Sequence, residues 1–231
     1  MAYVAIFDLD GTLVDTPQAI VRTFTAAFAA LGAPPREAQQ IRATIGMPLE
    51  GAFGRLMGIA PEDDRVTAAV AEYQLAFREI ILPRAGELVF PGVREGLAEL
   101  RRQGIPTAVA TSKFHESADA LLRAADLREE FAVVLGADQV TRPKPDPEMG
   151  HEVLRLLGAT PGEAVMVGDT THDLLMARAA GMRSIAVTYG IHSRAELLSA
   201  GPTWVADTFD GVLACLAEGR GADLRESETP V

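Results

Sequence analysis

The chain has 231 residues, 48% of them hydrophobic and 23% charged, enough to bury the core of one large domain or two small ones. Its 32 acidic residues against 21 basic give a formal net charge of −11, which argues against a nucleic-acid or anionic-membrane partner, because both need a basic face. An anionic small molecule is not excluded, since a bound cation reverses the field inside one pocket.

The chain opens on an apolar run, Tyr3-Val4-Ala5-Ile6-Phe7, with no basic residue before it and an aspartate after it. That is too short for a signal peptide or a membrane span and reads as a buried strand over about 3–8. It ends in Asp8-Leu9-Asp10-Gly11-Thr12. Helical patterning then takes over. Thr16-Pro17 reads as N-cap and first helical position, with Ile20, Phe24, Phe28 and Leu31 at helical spacing up to Gly32. A second helix is predicted over about 35–44, a third after Pro48, and a fourth from the acidic Pro61-Glu62-Asp63-Asp64 to Pro83.

From about residue 92 the pattern alternates. Short apolar runs lie at 106–110, 132–136, 164–168, 184–188 and 203–206, with amphipathic helices near 93–103, 115–125, 147–157 and 172–181. Such alternation implies an α/β fold with a doubly wound parallel sheet covered on both faces. Residues 1–15 and 91–218 form its core, 16–90 an all-helical insertion, and 219–231, polar and without period, a disordered tail. A single cysteine, Cys215, cannot form an internal disulfide, which fits the cytoplasm as the expected location. It reads as a small buried hydrophobe near the last helix. The oligomeric state is left open.

The chemistry gathers at predicted strand ends. Asp8 and Asp10 lie two apart, so extended backbone would point both carboxylates the same way, toward the sheet edge where α/β proteins bind ligands. A calcium loop is the rival reading, but its twelfth position, 19, holds alanine rather than glutamate. A strand-to-turn junction with solvated acids is the other. Val165-Met166-Val167-Gly168-Asp169-Thr170-Thr171-His172-Asp173 repeats the pattern, and alone it could be a turn followed by an N-capping aspartate. Together Asp8, Asp10, Asp169 and Asp173 would converge on one small site. Crowded carboxylates need compensation, and Mg²⁺ suits a site that keeps waters and a phosphate oxygen. Thr111-Ser112-Lys113 ends a strand just before a helix, where hydroxyls and amides can hold an anion or merely cap the helix. Lys144, in Arg142-Pro143-Lys144-Pro145-Asp146-Pro147, is one of only two lysines beside 19 arginines, which suggests a need for a compact ammonium.

The order D-x-D-G-T, T/S at a strand end, an isolated lysine before proline, then G-D-x-x-x-D resembles the haloacid dehalogenase superfamily over almost the whole chain. Asp8 to Asp15, Thr111-Ser112-Lys113, Lys144-Pro145-Asp146-Pro147 and Gly168-Asp169 are similar to its phosphoglycolate phosphatase-like branch, as is Ile45-Gly46-Met47-Pro48-Leu49 in the insertion. The resemblance implies a Rossmann-like core with a helical cap and a Mg²⁺-dependent phosphatase acting on a small phosphorylated metabolite. It implies Asp8 as nucleophile, Asp10 as general acid and base, Thr111 and the Ser112 amide as phosphate ligands, and Lys144 as the neutralising cation. Asp8, the Asp10 carbonyl, Asp169 and Asp173 would hold the metal, Asp173 directly or through water. It also implies a cap loop, Arg42 to Glu50, that overhangs the site, with Arg42 and Gly46 as specificity residues. If Arg42 pairs with a substrate carboxylate, 2-phosphoglycolate is favoured; the alternative is a solvated helix arginine.

Absent residues sort the superfamily's other chemistries. A dehalogenase lacks the second motif aspartate, here Asp10, and a phosphonoacetaldehyde hydrolase needs a cap lysine, of which 16–90 has none. Inorganic pyrophosphatase and β-phosphoglucomutase-like transfer stay open, and a non-catalytic binding module would be expected to lose the aspartates retained here. His115, His151, His172 and His192 show no metal-ligand spacing.

Overall fold

The computed structural model describes residues 3–227. Six strands, β1 (Val4–Phe7), β2 (Thr107–Ala110), β3 (Val133–Leu135), β4 (Ala164–Gly168), β5 (Arg183–Val187) and β6 (Trp204–Ala206), form one sheet. Its order is β3-β2-β1-β4-β5-β6, and every pairing is parallel. The sheet is buried on both sides, which is why its strands are continuous apolar runs rather than alternating ones. Val4 and Ile6 pack with Met149, Val153 and Met176 on one face. Ala5 and Phe7 pack on the other with Leu97, Phe131 and Phe209.

The chain between β1 and β2 carries α1 (Pro17–Ala30), α2 (Ala38–Arg42), α3 (Leu49–Met57) and α4 (Asp64–Ile80), then a 3₁₀ segment, Leu82–Glu87, that includes Pro83. These helices pack around aromatic rings that continue the buried cluster on the Phe7 face of the sheet. The Phe24 ring lies tilted 4.7 Å from Phe53 and 4.9 Å from Tyr73, and Phe28 lies 5.5 Å from Phe53. The second helix is shorter than 35–44 because Pro34 and Pro35 hold the chain extended before it. Two antiparallel linkers join this helical insertion to the sheet: Asp15 N–H donates to Leu88 O (2.7 Å) and Phe90 N–H to Leu13 O (3.1 Å).

Beyond it come α5 (Val93–Arg102), α6 (His115–Ala124), α7 (Glu148–Leu157), α8 (Thr171–Ala179), α9 (Arg194–Ser199) and α10 (Phe209–Ser227). Two features depart from expectation. The helix α9 was not predicted, although Ser193-Arg194-Ala195-Glu196 is a capping box in which the Glu196 carboxylate accepts from the Ser193 N–H at 2.8 Å. The tail expected to be disordered from 219 is helical through Ser227, while 228–231 lie outside the described residues. Its Ala, Leu, Arg and Glu residues extend a helix already packed against the sheet, and propagation is easy once a helix is nucleated. Among the described residues, no helix is long and apolar enough to cross a membrane.

Candidate active site

The sheet order fixes where the site lies. From β1 the chain builds outward to β2 and β3, then returns to β1's other side for β4, β5 and β6. The crevice beyond β1 and β4 is therefore the switch point at which α/β sheets bind ligands. Asp8 directly follows β1, its N–H donating to Val167 O of β4 at 2.9 Å. Asp169 directly follows β4, Asp173 sits in the first turn of α8, and Thr111 follows β2. Lys144 comes from the turn between β3 and α7.

Lys144 is the centre of this arrangement. Its side chain is 1% exposed, and Nζ lies 3.0 Å from Asp8 Oδ1 and 2.5 Å from Asp173 Oδ1. The other Asp173 oxygen accepts from the Thr170 N–H (3.1 Å) and hydroxyl (2.7 Å). Asp169 accepts from the Thr12 hydroxyl (3.0 Å) and the Ile191 N–H (2.8 Å). Thr12 is itself held through its carbonyl by the Tyr189 hydroxyl at 3.0 Å. Gly11 and Gly190 make this packing possible. A Cβ at Gly11, where φ is +85°, would meet an Asp169 oxygen at 2.2 Å, and one at Gly190 would lie 2.3 Å from the same side chain.

Asp8, Asp169 and Asp173 are all buried, and one oxygen from each falls within 4.8 Å of the others. Burial pushes the Asp8 carboxyl up to about 7 against the pull of Lys144. Burial and the charges of Asp8 and Asp173 raise Asp169 well above the ordinary carboxylate range. Burial also works against the Lys144 ammonium, but Asp173 and Asp8 outweigh it and hold its pKa up. Three carboxylates share one ammonium, so the cluster is short of positive charge. Hard oxygen donors at this spacing fit a divalent cation.

Asp10 does not join them. Its oxygens instead take the Thr16 hydroxyl (2.6 Å) and Lys113 Nζ (3.1 Å), so three of the four predicted carboxylates converge, not four. Period two does not carry Asp10 into the cluster because the strand stops at Phe7: Leu13 and Val14 N–H groups both turn back to Leu9 O. Thr16 stands at the helix N-cap but, with helical backbone and its hydroxyl given to Asp10, makes no side-chain cap. Asp10 nonetheless faces the same cavity as Asp8, with Thr111, Ser112 and Lys113.

Lys113 was not singled out as a site residue. It is buried, paired with Asp10, and lies 4.9 Å above the Phe77 ring of the insertion. The scarcity of lysine that drew attention to Lys144 applies equally to it. Gly46 lines the cavity with φ +95°, and a Cβ there would lie 3.2 Å from His172 Nδ1, so this loop touches the turn that carries Asp169 and Asp173. Arg42 is elsewhere. It is exposed, donates to Gln18 Oε1 at 2.5 Å and does not line the cavity. Ile41 takes the buried position of this short helix, and the next residue, about 100° further round, faces solvent. Arg42→Ala is therefore expected to lower kcat/KM by less than about threefold on any phosphoester, with or without a carboxylate, as a surface change does. A loss above tenfold confined to carboxylate-bearing substrates would restore it as a specificity residue.

Residues 5–187 match the model of a family described as haloacid dehalogenase-like hydrolase. A protein of Dickeya dadantii named probable phosphatase IndB is 54% identical over 231 residues, covering 100% of this chain and 99% of the relative. Phosphoglycolate phosphatase 1 of Pseudomonas aeruginosa is 33% identical over 212 residues, covering 91% of this chain and 78% of its own. Among solved structures, CbbY of Rhodobacter sphaeroides, in complex with xylulose-1,5-bisphosphate, superposes with a TM-score of 0.77 at 31% identity, covering 90% of this chain and 95% of that one.

Proposed function

The chain belongs to the haloacid dehalogenase-like hydrolase family, and on that premise we propose that it is a Mg²⁺-dependent phosphatase that hydrolyses a small phosphate monoester through a phosphoryl group carried on Asp8. The observation that carries this reading is the buried Asp8 beside Lys144 and two further carboxylates at the switch point of the sheet.

In the proposed reaction an Asp8 oxygen attacks phosphorus, and the bond to the ester oxygen breaks. Asp10, on the cavity side, gives its proton to the departing alkoxide. It then takes a proton from the water that attacks the acyl phosphate, which releases inorganic phosphate and regenerates Asp8. The Thr111 hydroxyl and Ser112 N–H donate to phosphoryl oxygens, and Lys144 balances the charge that Asp8 and the phosphate bring together. Asp8, Asp169 and Asp173, with the Asp10 carbonyl, would hold Mg²⁺, which when bound supplies the positive charge that lets a carboxylate approach a phosphate. Residues 16–90 act as a cap that shields the reaction from water.

The P. aeruginosa relative's name favours 2-phosphoglycolate, but Arg42, exposed and bonded to Gln18, adds no support to that substrate. The substrate class supported is therefore small phosphate monoesters. Phosphate release from p-nitrophenyl phosphate is expected to require Mg²⁺, to stop in EDTA and to return on adding Mg²⁺. Ca²⁺ should inhibit, because its longer bonds and larger ligand number misplace Asp8. Full activity in chelator overturns the metal-dependent mechanism.

A further inference from the structure

The cavity over Asp8 has a charged floor and an apolar roof. Lys113 is the only cation among its lining residues, and it is engaged by Asp10 at 3.1 Å. Lys144, beneath, is held between Asp8 and Asp173. The roof is Ile20, Phe24, Ile45, Met47 and Leu49 from the insertion, with Phe114 from the core. No arginine is among the residues that line the cavity. Arg42 is bonded to Gln18, and exposed Arg55 reaches only the Met47 sulfur at 3.9 Å.

Two hydroxyls from the insertion also face this space. Thr44 donates to Ile41 O at 2.7 Å, so its proton is committed. The Tyr73 hydroxyl has no hydrogen-bond partner among the described residues and is free to donate. The cleft is partly open to solvent, so a leaving group held on its phosphate can extend along the apolar roof toward the mouth.

These features set what the leaving group can be. A carboxylate or second phosphate pressed against the roof would lose its hydration and meet no unpaired cation, which is costly. An apolar ring there gains from burial against aliphatic and aromatic side chains. Building on the phosphatase reading above, we infer that the substrate is the monophosphate of an uncharged, ring-bearing apolar alcohol with an acceptor for the Tyr73 hydroxyl, rather than a carboxylate-bearing or doubly phosphorylated metabolite.

The test compares benzyl phosphate with 2-phosphoglycolate on the full chain with Mg²⁺. Both are esters of primary alcohols, so leaving-group basicity does not decide the outcome. The expected kcat/KM is at least about tenfold higher for benzyl phosphate, the size of a modest apolar-contact difference. Leu49→Arg, which places a cation in the roof at a half-buried position, is expected to shift that ratio at least about tenfold toward 2-phosphoglycolate. Equal or better hydrolysis of 2-phosphoglycolate by the unaltered protein, with p-nitrophenyl phosphate also turned over, overturns the inference and leaves the phosphatase reading standing. An unchanged ratio in Leu49→Arg overturns the assignment of this wall to the leaving group. No phosphate release from any of the three esters overturns both readings.

Discussion

Asp8→Asn is expected to lower kcat for p-nitrophenyl phosphate by at least about 10³-fold, the loss associated with a group that acts in the chemical step itself. The substituted amide has the same shape but no lone pair basic enough to attack phosphorus. Stability should point the other way. Burial already pushes Asp8 up to about 7, so a neutral group there removes a carboxylate that the fold keeps charged only with difficulty. Lys144 retains Asp173 at 2.5 Å and is not left alone. A thermal scan of the metal-free variant is thus expected to show a melting temperature equal to or above that of the parent. Inactivity together with an intact fold separates lost chemistry from lost structure. Activity within tenfold of the parent in a pure preparation would end the covalent proposal.

Much of this arrangement is legible in the sequence. The apolar run 164–168 became β4 residue for residue, because a strand covered on both faces leaves no polar position to blur its limits. Asp8, Asp169, Asp173 and Lys144 are legible too: Asp8 and Asp169 at strand ends, Asp173 four residues after Asp169, and Lys144 in a proline-stiffened turn. What failed was side-chain direction just past a strand. The turn on Leu9 O swings Asp10 toward Lys113, and a spacing of two says nothing about a turn. The exposed place of Arg42 was equally illegible, since a short helix gives no periodicity long enough to assign its faces. The partners of Asp169 could not have been found at all. Thr12 is 157 residues away in sequence and Ile191 is 22, and only the fold brings them together. Gly190 looks like an ordinary loop glycine until the Asp169 side chain is placed against it.

Lys144→Met is expected to be the most destabilising single change at the site while the protein is metal-free. Methionine nearly matches the lysine stem in volume, so packing is not the issue; charge is. Removing the ammonium leaves the buried cluster of Asp8, Asp169 and Asp173 with no counter-charge in contact. Breaking a buried pair from one side costs about 3–5 kcal/mol, which for a chain of this size corresponds to a fall of roughly 6–20 °C in melting temperature. Protonation of Asp8 near neutral pH relieves part of this and places the result toward the lower end. Mg²⁺ should then act more strongly on the variant than on the parent. A cluster with one positive charge fewer attracts a divalent cation more tightly, and tighter binding to the folded state raises the melting temperature further. The activity of the Mg²⁺-loaded variant is nevertheless expected to fall by about 10²–10³-fold, because the charge that Asp8 and phosphate bring together is no longer balanced at that point. Opposite movements of metal response and turnover are what a shared electrostatic site requires. If the metal-free variant melts with the parent and Mg²⁺ shifts both equally, Lys144 is not holding this cluster together and the three aspartates are not the cation site.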